Sequence, residues 1–223
     1  MRVERHTILN GNVRIPNVVL GPEPSSGAVV VVHGYGGSKE EVLGLSWRLA
    51  EAGLTAIAID LRGHGEHPLS LDSDVLSDLE AALAHARRFG DVTAVGHSLG
   101  GRLALLSSSA RAIGISPALP TDFDEGTRHF VTSLRGHRVR EQGPDTLFAT
   151  LHDLPEWAPA ATRDCALLYG TRDIPEILRA CQALDLTGVR VKELPEATHG
   201  DTCMIEETFQ FVAACVREWY GIS

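Results

Sequence analysis

The residues best suited to chemistry lie at Gly96-His97-Ser98-Leu99-Gly100-Gly101, a serine between glycines in the spacing G-x-S-x-G. An apolar run that reads as a strand precedes the segment and one that reads as a helix follows it. In that setting the turn lifts a serine hydroxyl above a sheet. Gly96 and Gly100 leave room for the chain to reverse, and Ser98 arrives at a helix amino terminus, where partial positive charge favours an oxyanion. Ser98 is the candidate nucleophile; the bland alternative is a glycine-rich turn with an incidental serine. His33-Gly34-Tyr35-Gly36-Gly37 follows another apolar run, where acyl transfer needs its second oxyanion donor. The main-chain N–H groups of Tyr35 and Leu99 are the candidate donors, and His33 reads as a residue that holds the loop.

A serine hydroxyl alone is a weak nucleophile, so this chemistry also needs a base and a group that orients it. The elements that must position them are legible as a pattern. Val3–Leu9 and Asn12–Leu20 alternate in polarity and read as an antiparallel edge pair turned at Asn10-Gly11. Ala28-Val29-Val30-Val31-Val32 is unbroken and apolar, as a strand covered on both faces requires.

Helix 39–51, strand 54–59, helix 73–88, strand 92–95, helix 99–110 and strand 112–115 follow in alternation. Such alternation predicts right-handed β-α-β crossovers and a mostly parallel α/β sheet with helices on both faces. It stops after Pro117 and resumes with strand 165–169, helix 175–184, strand 189–194 and helix 206–220. The stretch from Leu119 to about Arg163 is too long for a plain loop in a compact domain. It reads as an insertion with short helices, a lid over the carboxyl ends of the strands, within one domain of residues 1–223.

The composition bounds the partner. Net charge is −9 with 43% hydrophobic and 22% charged residues, an ordinary globular balance that argues against a nucleic-acid backbone as partner and for a small organic substrate. Met1–His6 lacks an apolar leader, and no stretch approaches the ~20 apolar residues of a membrane span. The expectation is a cytoplasmic protein that takes a small acyl substrate and no cofactor. Cys165, Cys181, Cys203 and Cys215 have neither redox nor zinc spacing and read as reduced thiols, so no metal site is expected.

HGYGGS, AIAIDLRGHGEH, AVGHSLGG, LLYGTRDIP and ATHGD, in that order, resemble the ordered motifs of the α/β-hydrolase superfamily, closest in style to small serine-dependent esterases. The resemblance covers nearly the whole chain except the insertion. It implies the fold of that superfamily and a triad in the order Ser, Asp, His, which places the acid at Asp173 and the base at His199. Asp173 also suits a helix start before Ile174-Pro175. In some relatives the acid follows the preceding strand, which leaves Asp122 and Asp124 open. The resemblance implies bracing roles for Asp60 and Arg62, with His64 a weaker substrate-contact candidate. The reaction implied is carboxylic ester hydrolysis through an acyl-enzyme; thioester or amide hydrolysis, acyl transfer and non-catalytic ligand binding remain open alternatives.

The insertion carries Arg128, Arg135, Arg138 and Arg140 with His129 and His137, and no acid between Gly126 and Arg140. Arg135 and Arg138 are candidates for holding a carboxylate or phosphate on the substrate, against the plainer reading of solvated or acid-paired arginines. His97, beside the nucleophile, is a further candidate for substrate contact, although a structural role suits it as well.

Overall fold

The apolar run at Ala28–Val32 becomes strand β3, whose side chains are divided between two cores. Strand side chains alternate between faces, so Val30 and Val32 join one cluster and Val29 and Val31 the other. All four valines are almost fully buried, and burying each stabilises the fold by ~1.5–3 kcal/mol. The computed structural model describes residues 1–160, 162–184 and 189–222.

The eight strands are β1 Arg2–Asn10, β2 Val13–Gly21, β3, β4 Thr55–Ile59, β5 Val92–His97, β6 Arg111–Ile115, β7 Asp164–Arg172 and β8 Arg190–Thr198. They form one sheet in the order β1-β2-β4-β3-β5-β6-β7-β8. Every neighbouring pair from β4 across to β8 is parallel, while β2 runs antiparallel to both β1 and β4. This is the α/β-hydrolase architecture, a mostly parallel sheet with helices on both faces.

Helices α1 Leu43–Glu51 and α7 Glu206–Tyr220 cover one face through Leu45, Leu49, Val212 and Val216. Helices α2 Val75–Ala86 and α3 Leu99–Leu106 cover the other through Leu79, Leu83 and Leu103. The stretch 119–163, of which residue 161 lies outside the described residues, contains α4 Glu125–Arg135 and α5 Thr146–Asp153. Helix α6 Pro175–Ala183 follows β7. Among the described residues, no helix is long and apolar enough to cross a membrane.

Several boundaries differ from the sequence expectation, and two of them have a local cause. The hairpin turns at Gly11-Asn12, since Asn10 still pairs with Val13. Gly11 has φ 59 while Asn12 stays out of the positive region, the pattern of a turn with glycine first rather than of an Asn-Gly turn. Helix α3 ends at Leu106 rather than Ala110. There the Ser107 hydroxyl donates to the Ala104 carbonyl and Ser109 to that of Val92, local bonds that compete with continuing the helix.

Candidate active site

Strands β3 and β5 are neighbours, yet the chain leaves them for helices on opposite faces, α1 and α3. The crevice outside the carboxyl ends of two such strands is where open α/β sheets bind ligands. His33–Gly37 and Ser98 flank that crevice.

Ser98 forms the turn between β5 and α3 with φ 55 and ψ −116, a backbone region that costs a residue with a side chain on the order of 1–3 kcal/mol. The turn closes because its flanks are bare. A Cβ on Gly96 would lie 2.1 Å from the Gly100 carbonyl oxygen, and one on Gly100 would lie 2.4 Å from that of His33. The Ser98 N–H donates to the Ile115 carbonyl at 2.9 Å, which ties the strained turn to β6.

His199, just beyond β8, receives the Ser98 hydroxyl at Nε2 over 2.9 Å, while its Nδ1–H donates to Asp173 Oδ1 over 2.7 Å. The imidazole is thus held in the tautomer that leaves Nε2 free to accept a proton. Burial pushes His199 below the ordinary imidazole value, against the upward pull of Asp173, and the charges of His97 and Arg135 push it the same way as burial. Burial alone would raise the Asp173 carboxyl; the bonds from His199, Ser116 and Ile174 N–H outweigh it and hold the carboxyl below its ordinary value.

The backbone N–H groups of Leu99 and Tyr35 have no acceptor among the described residues. Leu99 is the first residue of α3, where orphan N–H groups are expected. Tyr35 and Gly36 occupy the centre of a turn closed by Gly37 N–H on the Gly34 carbonyl at 3.0 Å, with Gly36 at φ 69. A Cβ on Gly34 would sit 3.0 Å from Ser98 Cβ, so this loop packs directly on the candidate nucleophile. Donors left without an acceptor on two loops that flank a hydroxyl can stabilise negative charge developing on an acyl oxygen.

A cavity of about 660 Å³ opens above Ser98 and His199. Its apolar lining includes Phe123, Val131, Leu147, Phe148, Leu151 and Ile177, most of them from the 119–163 stretch. Phe130 and Leu134 of α4 stand at its rim, more than half exposed. Polar groups also line it, among them Glu41, His97 and Arg135.

The remaining sequence candidates fall into distinct places. His97 lines the cavity and its Nε2 lies 2.9 Å from the His199 carbonyl, so it also braces the backbone of that residue. Arg135 lines the cavity and Arg138 does not; both approach Glu41 Oε1, at 3.7 Å and 2.6 Å. Asp124 caps α4 by accepting from Thr127 N–H at 2.7 Å, and Asp122 is exposed; neither touches His199.

His33 is buried and joins the β3 and β4 loops, its Nδ1 against the Gly34 carbonyl and its Nε2 accepting from Leu61 N–H. Asp60 accepts from the Lys39 ammonium and the Glu66 N–H, and Arg62 pairs with Asp78, so both brace loops. His64 is sealed beneath Tyr35, pushed down to about 3 by burial, and does not line the cavity. Among the described residues no group of three or more His, Cys, Asp or Glu is placed to hold a metal ion.

Three groups were not anticipated. The Ser116 hydroxyl, fully buried at φ 43, lies 2.5 Å from Asp173 Oδ2 and 2.8 Å from Thr202 Oγ1. Thr202 Oγ1 also lies 2.9 Å from the His199 carbonyl, so the acid and the base pack around the same two hydroxyls. Arg102, fully buried in α3, donates to the carbonyls of Ala118, Pro120, Leu154 and Pro155 and so clasps both ends of the α4–α5 segment. A lone arginine inside the apolar Leu99–Leu106 run is a visible signal; Ser116 and Thr202 have none beyond following strands at the same sheet edge.

The comparisons agree with this architecture. Residues 29–214 match the family model described as the alpha/beta hydrolase family. No curated protein matches the chain. An esterase of Pyrobaculum calidifontis superposes with a TM-score of 0.71 at 20% identity, covering 100% of this chain and 86% of the other. A carboxylesterase structure from the thaumarchaeon Nitrososphaera gargenis gives 0.74 at 18% identity, covering 96% and 100%. A thioesterase domain from the curacin biosynthetic pathway gives 0.71 at 16%, covering 97% and 99%. At these identities the likeness is one of fold.

Proposed function

Because the chain belongs to the alpha/beta hydrolase family, we propose that it is a serine hydrolase that cleaves a carboxylic ester of a small molecule through an acyl-enzyme. One observation carries this reading: His199 bridges the Ser98 hydroxyl and the buried Asp173 carboxylate, with two N–H groups beside the hydroxyl that have no acceptor among the described residues. In the first step His199 takes the Ser98 proton as Oγ bonds to the acyl carbon, and the charge on the acyl oxygen falls to Tyr35 and Leu99 N–H. The bond to the leaving group then breaks and His199 delivers the proton to the departing oxygen. Water repeats the sequence in reverse and frees the acid. Asp173 keeps the imidazole oriented and stabilises its transient charge.

In this reading the 119–163 segment is a lid, and the apolar lining of the cavity takes the acyl group. No cofactor enters the chemistry, the partner is a small acyl substrate rather than nucleic acid or membrane, and the four free thiols suit a cytoplasmic protein. An ester is preferred to a thioester or amide only as the simplest acyl donor for this constellation. The test is a panel of p-nitrophenyl esters, acyl thioesters and anilides run with the wild type and Ser98→Ala, beside labelling by a fluorophosphonate. Ester turnover lost by about 10⁶-fold in Ser98→Ala, and label on Ser98 alone, is the expected result. Undiminished turnover in Ser98→Ala, or folded protein that takes no label, overturns it.

A further inference from the structure

The basic run of the insertion is sorted by its partners. Arg128 donates to the Phe123 carbonyl at 3.0 Å and lies over the Phe148 ring. Arg140 donates to the carbonyls of His64, Gly65 and His67. Arg138 takes Glu41 Oε1 at 2.6 Å. The side chains of Arg135 and Arg138 make no hydrogen bond among the described residues, and the one ionic neighbour of Arg135 is that same Glu41 oxygen at 3.7 Å, already engaged more closely by Arg138. Two guanidinium groups share one carboxylate, so a positive charge remains over, and Arg135 is the member of the pair that lines the cavity.

Its position within the cavity is also defined. The Cβ of Arg135 packs on Gly36, where an added Cβ would come within 2.6 Å of it. The guanidinium lies at the β3-loop end of α4, 3.7 Å from Glu41, whereas at the other end of α4 Thr127 bonds Glu176 of α6, the helix that carries Ile177, and Arg128 lies over Phe148. The β3 loop on which Arg135 packs also meets His97, since a Cβ on Gly34 would lie 2.9 Å from His97 Nδ1, and the His97 and His199 rings are 4.9 Å apart; burial lowers both imidazoles and the Arg135 charge adds to it. His199 is the group that hands a proton to the leaving group, so whatever departs must pass beside it.

Resting on the serine-hydrolase reading above, we propose that Arg135 binds an anionic group, a carboxylate or phosphate, carried on the leaving alcohol or thiol portion of the substrate, while an apolar acyl portion fills the opposite side of the cavity. The substrate is then amphiphilic with a fixed polarity: apolar acyl, anionic leaving group. Guanidinium suits either anion because its planar fork can give two N–H bonds to two oxygens. An anion on the acyl portion would instead be driven among Phe123, Phe148 and Leu151, where it loses hydration without a partner.

The experiment compares kcat/KM for three substrates: p-nitrophenyl hexanoate, its analogue with a carboxylate on the nitrophenyl ring, and a p-nitrophenyl ester whose acyl chain ends in a carboxylate. We expect the ring carboxylate to be favoured over the neutral ester by roughly fivefold at low salt, as one partly exposed charge pair allows, and the acyl carboxylate to be disfavoured. The preference falls as ionic strength rises toward 1 M, collapses toward unity in Arg135→Gln, and grows in Glu41→Gln, which removes the competing carboxylate. Equal rates for neutral and ring-carboxylated esters, a preference for the acyl carboxylate, or a preference that survives Arg135→Gln and disappears in Arg172→Gln would each overturn the assignment. Ser98→Ala separates the two claims: if it abolishes all three hydrolyses and no charge preference exists, only the Arg135 site fails, whereas hydrolysis that survives it takes the serine reading down as well.

Discussion

The Ser116 hydroxyl, set at the end of β6, hydrogen-bonds the carboxylate oxygen of Asp173 that His199 does not use. Both oxygens of Asp173 are thereby fixed, since Oδ1 also accepts the Ile174 N–H at 2.7 Å. A carboxylate held at both ends presents one lone-pair direction to the imidazole, which is how its orientation is transmitted to Ser98.

Removing that hydroxyl is expected to slow turnover without weakening binding. In Ser116→Ala, kcat should fall ~10- to 100-fold, the worth of one hydrogen bond to a charged group, with KM nearly unchanged. Ser116→Gly should lose the same activity although glycine adopts the positive φ of this position without strain. Comparing kcat, KM and thermal midpoints of the two variants separates orientation from strain: a Gly variant of full activity would show that the hydroxyl is dispensable.

The pH profile follows from the direction of the His199 shift. A protonated imidazole cannot accept the serine proton, so kcat/KM is low in acid and rises as His199 loses its proton. Because burial lowers His199, the midpoint should lie below the ordinary imidazole value of about 6.5, with a plateau through neutrality. Arg135 also lowers His199, so Arg135→Gln should move the limb upward. A midpoint above that of free imidazole contradicts the environment described for His199.

Asp173 should separate cleanly from Asp124, one of the two alternatives that the sequence left open. Asp173→Asn removes the acceptor for Nδ1–H and should cost on the order of 10⁴-fold in kcat. Asp124→Asn alters only the cap of α4 and should cost no more than about 1 kcal/mol of stability, with ester turnover close to normal. Steady-state rates and denaturant midpoints for the pair decide the matter, and comparable losses of rate would reopen the identity of the acid.

Arg102 is expected to hold the α4–α5 segment closed. Arg102→Met keeps much of the volume but leaves the carbonyls of Ala118, Pro120, Leu154 and Pro155 without their donor. An unsatisfied buried group costs ~1–3 kcal/mol, so the variant should lose several kcal/mol and be cut early by protease within 119–163, ahead of global unfolding. A variant as resistant as the wild type would mean that the clasp carries little weight.

Much of this fold is local in origin and therefore legible along the chain. The period-two division of Val29–Val32 and the glycines around Ser98 are constraints within a few neighbouring residues, so the central strands and the nucleophile turn follow from residue types alone. Apolar content marks only the buried part of a strand, however. Strands β7 and β8 continue through Gly170-Thr171-Arg172 and Glu196-Ala197-Thr198 because they pair with each other, with Arg172 opposite Thr198, and no apolar run announces that extension.

What the amino-acid sequence determined by itself was the sheet architecture, the serine at its turn and, through the order of motifs, the carboxylate and imidazole that could join it. Which side chains meet across the sheet edge was decided only by the tertiary structure. Ser116 reaches Asp173 because β6 and β7 are neighbours, and Glu41 gathers Arg135 and Arg138 because the 119–163 segment packs back on the loop after β3. Strand order and the path of a long insertion depend on the packing of the whole chain, and no short window of residues encodes them.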